Sequence, residues 1–227
     1  MKSEAELKFL KLLRKSPKSK EELAEMDQWR ILFVAELKQE IKGLSQELLA
    51  SGSKYVDPWI MVNTKHSYPE AIDILIKHIP QNYHDRNKEG IFRALTVKEA
   101  KGKANASLIE EYNKTPKEKD NLRWVIGNAI YIIINKDDVK GVISIVEDKT
   151  NGKSRSRFVS ALGKIKSEET ENVLIDLLED EEMVLYAVQS LRRLKSKKAR
   201  EKIKSLASSS NAVLRKEVQK ALEKIDN

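Results

Sequence analysis

The sequence predicts an all-α fold: a right-handed α–α superhelix, built as a solenoid of about five helix pairs, with further helices capping its N-terminal end. The main observation is a pair of residues, one small and one large and apolar, that recurs in the second half of the chain. The pairs are Ala94-Leu95, Ala129-Ile130, Ala161-Leu162, Ser190-Leu191 and Ala221-Leu222. Their second members are 35, 32, 29 and 31 positions apart, which is a helical-repeat period. An amphipathic segment precedes each pair, so each period holds two helices that bury their apolar faces by stacking on the next repeat.

The repeat divides the chain into two regions. Residues 1–66 lack the period and are expected to form an N-terminal helical cap, while 67–227 form the repeat solenoid. Asp57 before Pro58 fits the start of a short helix that leads into the repeats. The helix pairs are expected at approximately 68–102, 103–136, 137–167, 168–197 and 198–226.

The cap region carries its own helix signals. Ser3 with Glu6, and Ser19 with Glu22, fit the capping box, in which a hydroxyl and a carboxylate each satisfy a free backbone N–H at a helix start. Apolar residues at spacings of three and four then predict one long helix that ends near Ala50.

The composition agrees with stacked amphipathic helices and excludes several classes of function. Apolar residues make up 40% and charged residues 34% of the 227 residues, and Gly and Pro are few. Cysteine is absent, which excludes disulfides, thiolate chemistry and Cys-ligated metals. No apolar run approaches the roughly 18 residues of a membrane span, and the charged N-terminal segment does not resemble a signal peptide. We therefore expect a soluble, cytoplasmic protein with no membrane partner.

The net charge of +8 is unevenly distributed. Residues 191–227 hold twelve Lys and Arg against four acids, so the rest of the chain is balanced, while 168–182 hold eight acids and no base. The basic end could meet an anionic partner. Alternatively, it is the solvated outer face that a terminal repeat requires.

The repeat region resembles a known family. The stretch SRSRFVSALGKIKSEETENVLIDLLEDEE and the following AVQSLRRLKSKKAREKIKSLASSSNAVLRKEVQKALEKI look like HEAT repeats of the type first noted in phycobilin-lyase subunits. The similarity covers 68–226 and is strongest from residue 139 onward. The first repeat, YPEAIDILIKHIPQNYHDRNKEGIFRALTVKEAKG, is also similar to bacterial HEAT-repeat proteins. The resemblance implies a fold and says little about function.

One column of the repeat is basic. Six positions before the small residue of each pair stand Lys88, Arg123, Arg155, Val184 and Arg215. The resemblance implies that such an Arg bonds an acid at the end of the preceding outer helix, which would give Asp148 to Arg155 and leave Asp180 without a partner. The functional alternative is a row of cations that contacts phosphates.

Aromatic residues form a second candidate set. Trp124 and Tyr131 lie on the second inner helix near Asn128, and Tyr186 lies near the equivalent face two repeats later. Such residues could stack on bases. They could equally pack between repeats, as amphipathic aromatic residues usually do.

No motif for catalysis, metal or cofactor binding is legible. The three histidines form neither an i, i+4 pair nor an HExxH motif, and P-loop, GxGxxG and GxSxG patterns are absent. The His-Glu dipeptides of HEAT-repeat iron hydroxylases are also absent. Asp85, Asp120 and Trp124 could be recruited into a DNA glycosylase of the HEAT-like class, but its motifs are not recognisable. We therefore expect that the protein is not an enzyme and binds no cofactor.

The sequence therefore favours a non-catalytic scaffold that binds a partner protein on a concave face built of inner helices. An adaptor, an assembly factor or an inhibitor of the immunity type would fit. The candidate contacts are Arg93, Trp124, Asn128, Arg157 and Tyr186. The alternative is a nucleic-acid-binding protein that uses Arg192, Arg193, Lys197, Lys198 and Arg200 at the basic C-terminal end.

Overall fold

The structure is a computed structural model that describes residues 2–226, in which fourteen α-helices and no strand occur. The first four helices are α1 (Glu4–Arg14), α2 (Lys20–Glu40), α3 (Lys42–Ala50) and α4 (Pro58–Val62). The others are α5 (Pro69–Lys77), α6 (Asp85–Ala94), α7 (Asn105–Lys114), α8 (Asp120–Ile133), α9 (Val139–Glu147), α10 (Ser156–Leu162), α11 (Glu168–Asp176), α12 (Val184–Leu194), α13 (Arg200–Ser205) and α14 (Ala212–Asp226). Short 3₁₀ turns extend or join several of them.

The last ten helices form the five predicted pairs. In each pair the first is the outer helix and the second, one of α6, α8, α10, α12 and α14, is the inner helix. Each inner helix packs against the inner helix of the next pair, which makes one continuous layer. This arrangement confirms the all-α solenoid. We call the solvent-exposed side of the inner-helix layer the inner face. The right-handed sense of the superhelix and the concavity of the inner face stay predictions.

The recurring small-and-large pair lies where neighbouring inner helices meet. Ala161 and Leu162 at the end of α10 are fully buried. A Cβ placed on Gly163 would lie 2.8 Å from the Cα of Ser190 on α12, so only glycine permits this approach of the two backbones. Ser190 uses the proximity to donate a hydrogen bond of 3.0 Å to the Val159 carbonyl. The small residues therefore set the spacing of the inner layer, as the sequence pattern predicted.

The N-terminal helices extend the array. Helices α1 and α2 pack as a hairpin, α3 packs on α5, and α4 packs on α6 much as one inner helix packs on the next. One hydrophobic core runs without interruption from Ile41 to Ile225. The division of the chain into two domains at residue 66 stays a prediction.

The helix starts in the N-terminal region agree with the capping signals, but one boundary was wrong. Ser19 and Glu22 form the reciprocal capping box, whereas Ser3 accepts only the Glu6 amide. The single long helix that was expected to reach Ala50 is two helices, because α2 ends and α3 begins around Ile41. Ile41 is buried and α2 has no buried residue, so the break separates α2 from a helix, α3, whose Leu44 and Leu48 belong to the core.

Two side chains of the basic column, those of Lys88 and Arg155, form ion pairs with acids of the following repeat. This corrects the expected pairing within one repeat. Arg155 donates a 2.9 Å hydrogen bond to Asp180 of the following repeat, and both side chains are buried. Asp148, its expected partner, instead accepts from the Thr150 amide at 2.9 Å. Lys88 likewise pairs with Glu111 of the next repeat. The column lies at the start of the inner helices, and these two ion pairs reach the next repeat. Arg155 also donates to the Val146 carbonyl of its own repeat at 3.0 Å, so it joins two repeats and braces one.

Candidate partner-binding face

Three side chains of α8 form a stripe on the inner face. Trp124, Asn128 and Tyr131 follow one another at spacings of four and three, so they lie on one side of the helix. The opposite side of α8 carries buried residues such as Val125 and Ile126. Trp124 as a whole residue remains 37% exposed, which is large for a tryptophan and makes it a candidate contact for a ligand.

Arg157, on the neighbouring inner helix α10, contacts all three side chains of this stripe. Its guanidinium donates a hydrogen bond to Asn128 Oδ1. The same group lies 4.5 Å from the ring centroid of Tyr131 and 5.4 Å from that of Trp124, both within cation–π range. Among the described residues, its buried Nε has no hydrogen-bond partner.

Two more cations reach the ring of Tyr131. Lys164, just after α10, donates to the Tyr131 carbonyl at 2.6 Å, and its Nζ lies 4.8 Å from the ring centroid. Arg193, on α12, donates a 3.1 Å hydrogen bond to the Tyr131 hydroxyl. We call the group formed by Trp124, Asn128, Tyr131, Arg157, Lys164 and Arg193 the Tyr131 cluster. It draws on three successive helix pairs.

The charges of the cluster shift its titrations. The hydrogen bond from Arg193 lowers the pKa of the Tyr131 phenol, and the charges of Arg193, Lys164 and Arg157 add to this effect against a partial burial that raises it. Burial is the main cause that lowers the pKa of the Lys164 ammonium; Tyr131 opposes this shift, and the charges of Arg193 and Lys101 add to it. Nearby positive charge thus contributes to both shifts but is the largest cause of neither.

The structure brings together three of the five predicted contact residues. Trp124, Asn128 and Arg157 are members of the Tyr131 cluster. Arg93 instead bonds Glu89 on its own helix at 2.8 Å. Tyr186 is half-buried and packs against the hydrophobic core. The role of all five in binding a partner stays a prediction.

The sequence analysis missed Lys164 and assigned Arg193 to a different surface. A signal for both exists in the repeat. The position three residues after the small member of the pair is apolar in the first two repeats and basic in the last three, where it is occupied by Lys164, Arg193 and Lys224. A column that becomes basic in consecutive repeats predicts a cationic strip on one face of the solenoid.

The basic C-terminal end is less uniform than its composition suggests. Arg200 is paired with Asp226 at 2.7 Å, and Arg192 lies 3.5 Å from Glu217. Lys198 donates to Asn172, and Lys197 is exposed. Arg193 belongs to the Tyr131 cluster. An open groove of about 680 Å³ between α12 and α14 is lined by both signs of charge, including Arg192, Arg193, Lys220 and Glu217.

Two further observations concern metals and membranes. Within residues 2–226, no three His, Asp or Glu side chains converge as metal ligands would. No helix in that range combines the length and the apolar character needed to cross a membrane.

A family model described as HEAT repeats matches residues 139–223, which agrees with the repeat architecture of that part of the chain. The sequence matches no curated protein. A crystal structure of an engineered protein is similar over 82% of this chain and 96% of that chain, with a TM-score of 0.50 and 19% identity. A designed armadillo repeat protein has a TM-score of 0.42 and 17% identity over 96% of this chain and 98% of that chain.

The stacked helix pairs define a class, the helical-repeat proteins, and the first of these structures has a similar fold. Within that class, the last three helix pairs are similar to HEAT repeats, whose family model matches residues 139–223. The narrower likeness to the repeats of phycobilin-lyase subunits, and a bacterial origin, stay predictions.

Proposed function

We propose that this protein is a non-catalytic scaffold of the cytoplasm that holds a partner protein on its inner face. The observation that carries the proposal is the Tyr131 cluster. Its side chains come from α8, the α10 region and α12, so a ligand there contacts several repeats at once. Exposed Trp and partly buried Arg are the residue types that dominate binding energy in protein interfaces. An adaptor, an assembly factor or an inhibitor would each use such a face.

Nucleic-acid binding through the basic C-terminal end is the alternative. It is supported by the surplus of Lys and Arg in 191–227. Against it, Arg192 and Arg200 already face carboxylates, and Arg193 contacts Tyr131. Binding of DNA or RNA that weakens steeply as salt rises would favour this alternative. Release of a modified base by the pure protein would instead support a glycosylase.

Site-specific photo-cross-linking in the native host tests the proposal. A benzophenone amino acid replaces Trp124 on α8 in one variant and Asn113 on α7 in the other. Both positions are exposed and belong to the same helix pair, but Asn113 is on the outer helix. The proposal expects a cross-linked protein of defined mass from position 124 alone. Cross-links from position 113 alone, or equally from both, would contradict it.

A further inference from the structure

The Tyr131 cluster holds three positive charges without a carboxylate. Arg157, Lys164 and Arg193 surround one aromatic ring at 4.5, 4.8 and 5.7 Å from its centroid. Their hydrogen bonds go to neutral oxygens: an amide, two backbone carbonyls and a phenol. Across the described part of the chain, none of the three makes an ion pair. Like charges gathered this closely repel one another, and an anion placed among them would relieve that repulsion.

Other cations of the inner layer are arranged differently. Six of them each face a carboxylate: Arg86, Lys88, Arg93, Arg155, Arg192 and Lys220. Four more make no ion pair among the described residues: Arg123, whose side chain is buried and bonded to neutral oxygens, and Arg215, Lys216 and Lys224 on α14. Among the described residues, Tyr131 alone has three cations gathered around its ring, and the exposed Trp124 lies beside them.

We propose that the partner docks through an acidic polypeptide segment, with an Asp or Glu carboxylate among Arg157, Lys164 and Arg193 and an apolar side chain on Trp124. This inference rests on the proposed function and specifies the chemistry of its partner. Trp124 and Tyr131 are seven residues apart on α8, which corresponds to roughly 10 Å along the helix axis. An extended chain covers that distance in about three residues. The recognised segment thus carries an apolar residue about three positions from an acidic one.

A polypeptide fits the surroundings of the cluster better than a nucleic-acid strand. A sugar-phosphate backbone that ran along the inner face would need a continuous cationic track. Glu89 on α6 and Glu217 on α14 stand on the inner helices on either side and interrupt it. A single carboxylate of a polypeptide, by contrast, could be bound by the three cations around Tyr131 alone. Arginine suits such a contact because its guanidinium can bind a carboxylate through two parallel hydrogen bonds.

Fluorescence anisotropy with defined probes tests this inference on the full-length chain. The probe is a short fluorescein-labelled peptide of Gly and Ser that carries one Phe about three positions before two Glu. Its twin has Gln in place of both Glu, and oligodeoxythymidylate is the nucleic-acid probe. We expect the acidic peptide to bind, the Gln twin to bind at least roughly tenfold more weakly, and the oligonucleotide to bind no better than the twin. Bound peptide also raises the pKa of Tyr131, because its carboxylates offset the nearby cations.

A pair of matched variants tests whether the acidic peptide binds at the Tyr131 cluster. The triple variant R157Q/K164Q/R193Q should weaken binding of the acidic peptide by roughly 10- to 100-fold. The control K197Q/K204Q/K216Q removes the same charge from exposed lysines elsewhere and should change binding less than about threefold. Circular dichroism of both variants checks that they are folded.

The outcomes separate this inference from the proposed function. Failure of the acidic peptide to bind, or equal binding to both triple variants, would overturn the inference. Oligonucleotide binding that is lost in R157Q/K164Q/R193Q would assign the cluster to nucleic acid and also overturn it. If cross-links from position 124 persist in any of these cases, the partner is still held on the inner face but by other chemistry. If those cross-links are absent while the peptide binds, the proposed function fails and the anion subsite stands.

Discussion

Arg193 on α12 donates a 3.1 Å hydrogen bond to the hydroxyl of Tyr131 on α8, across the intervening helix α10. The axes of neighbouring packed helices are roughly 8–10 Å apart, and α8 and α12 are separated by two such distances because α10 lies between them. The side chains of the second and fourth helix pairs therefore converge on the inner face. This convergence makes the Tyr131 cluster one site rather than three separate surface features.

The first prediction concerns the titration of Tyr131. The hydrogen bond from Arg193 and the three nearby cations stabilise the phenolate, so Tyr131 should ionise below the ordinary tyrosine value of about 10. R193Q should raise the pKa of Tyr131. The measurement is the phenolate absorbance as a function of pH, taken as the difference from Tyr131→Phe. R192Q, which removes the adjacent charge that faces Glu217, should leave the pKa of Tyr131 nearly unchanged. An unaltered titration in R193Q would show that the bond is absent in solution.

The second prediction concerns the bond between Arg155 and Asp180. The Arg155 side chain is 1% exposed and that of Asp180 is 8% exposed. Removing Asp180 leaves the buried Arg155 guanidinium with only the Glu182 carboxylate, 3.3 Å away and exposed to solvent. Asp180→Ala should therefore lower the free energy of unfolding by up to about 3–5 kcal/mol. Urea unfolding measures this loss. Because Asp226 and Arg200 are far more exposed, Asp226→Ala should lower the free energy of unfolding much less than Asp180→Ala. Equal losses would mean that the buried pair does not join the repeats.

The third prediction is the acid sensitivity that follows from the same bond. Burial raises the pKa of Asp180, but the hydrogen bond and charge of Arg155 and two backbone amides outweigh it, so the pKa is lowered. The stabilisation is complete above the aspartate value of about 3.9 and is lost as the pH falls below it. Asp180→Asn should therefore flatten the acid limb of the stability curve. Urea midpoints across this pH range measure it. Asp137→Asn, at an exposed position, is the control, and an acid limb as steep in Asp180→Asn as in the unsubstituted chain would contradict the prediction.

The repeat pattern predicted the fold well because it reports burial. The residues of the Ala161-Leu162 pair and its equivalents touch neighbouring helices, and their size and polarity directly encode that contact. The boundary at Ile41 was missed because the apolar spacing continues through it, so the end of α2 and the start of α3 leave no mark on the periodicity.

The candidate site was predicted only in part, since charged contacts depend on which side chains can reach one another. The expected Asp148 partner of Arg155 was nearer in sequence than Asp180, yet a long side chain reaches forward to the next repeat. Tyr131 and Arg193 are 62 positions apart, and no periodic pattern reveals that they meet. The usable sequence signal for the Tyr131 cluster was a second column, three positions after the small residue of each pair, which includes Lys164 and Arg193.

The fourth prediction concerns how locally the solenoid loses structure. Leu162 is fully buried between neighbouring helices of the third pair. Leu162→Ala should cost about 2–5 kcal/mol because it removes apolar contact and leaves a cavity. Each repeat contacts only its neighbours, so hydrogen exchange should rise most in the third pair and the pairs beside it. Hydrogen exchange followed by mass spectrometry measures the pattern, and an equal rise along the whole chain would contradict the prediction.

Dissociation kinetics of the partner test the central claim, that a partner polypeptide is held at the Tyr131 cluster. The protein identified by cross-linking from position 124 is purified, and its release is measured by surface plasmon resonance. One variant truncates Trp124, Asn128 and Arg157 to Ala, and the other reverses the charge of Lys197, Lys198 and Arg200. The inner-face variant should release the partner at least roughly tenfold faster, while the basic-end variant should alter mainly the association rate and its salt dependence. Unchanged dissociation from the inner-face variant, with faster release from the basic-end variant, would contradict the claim and place the partner on the C-terminal end.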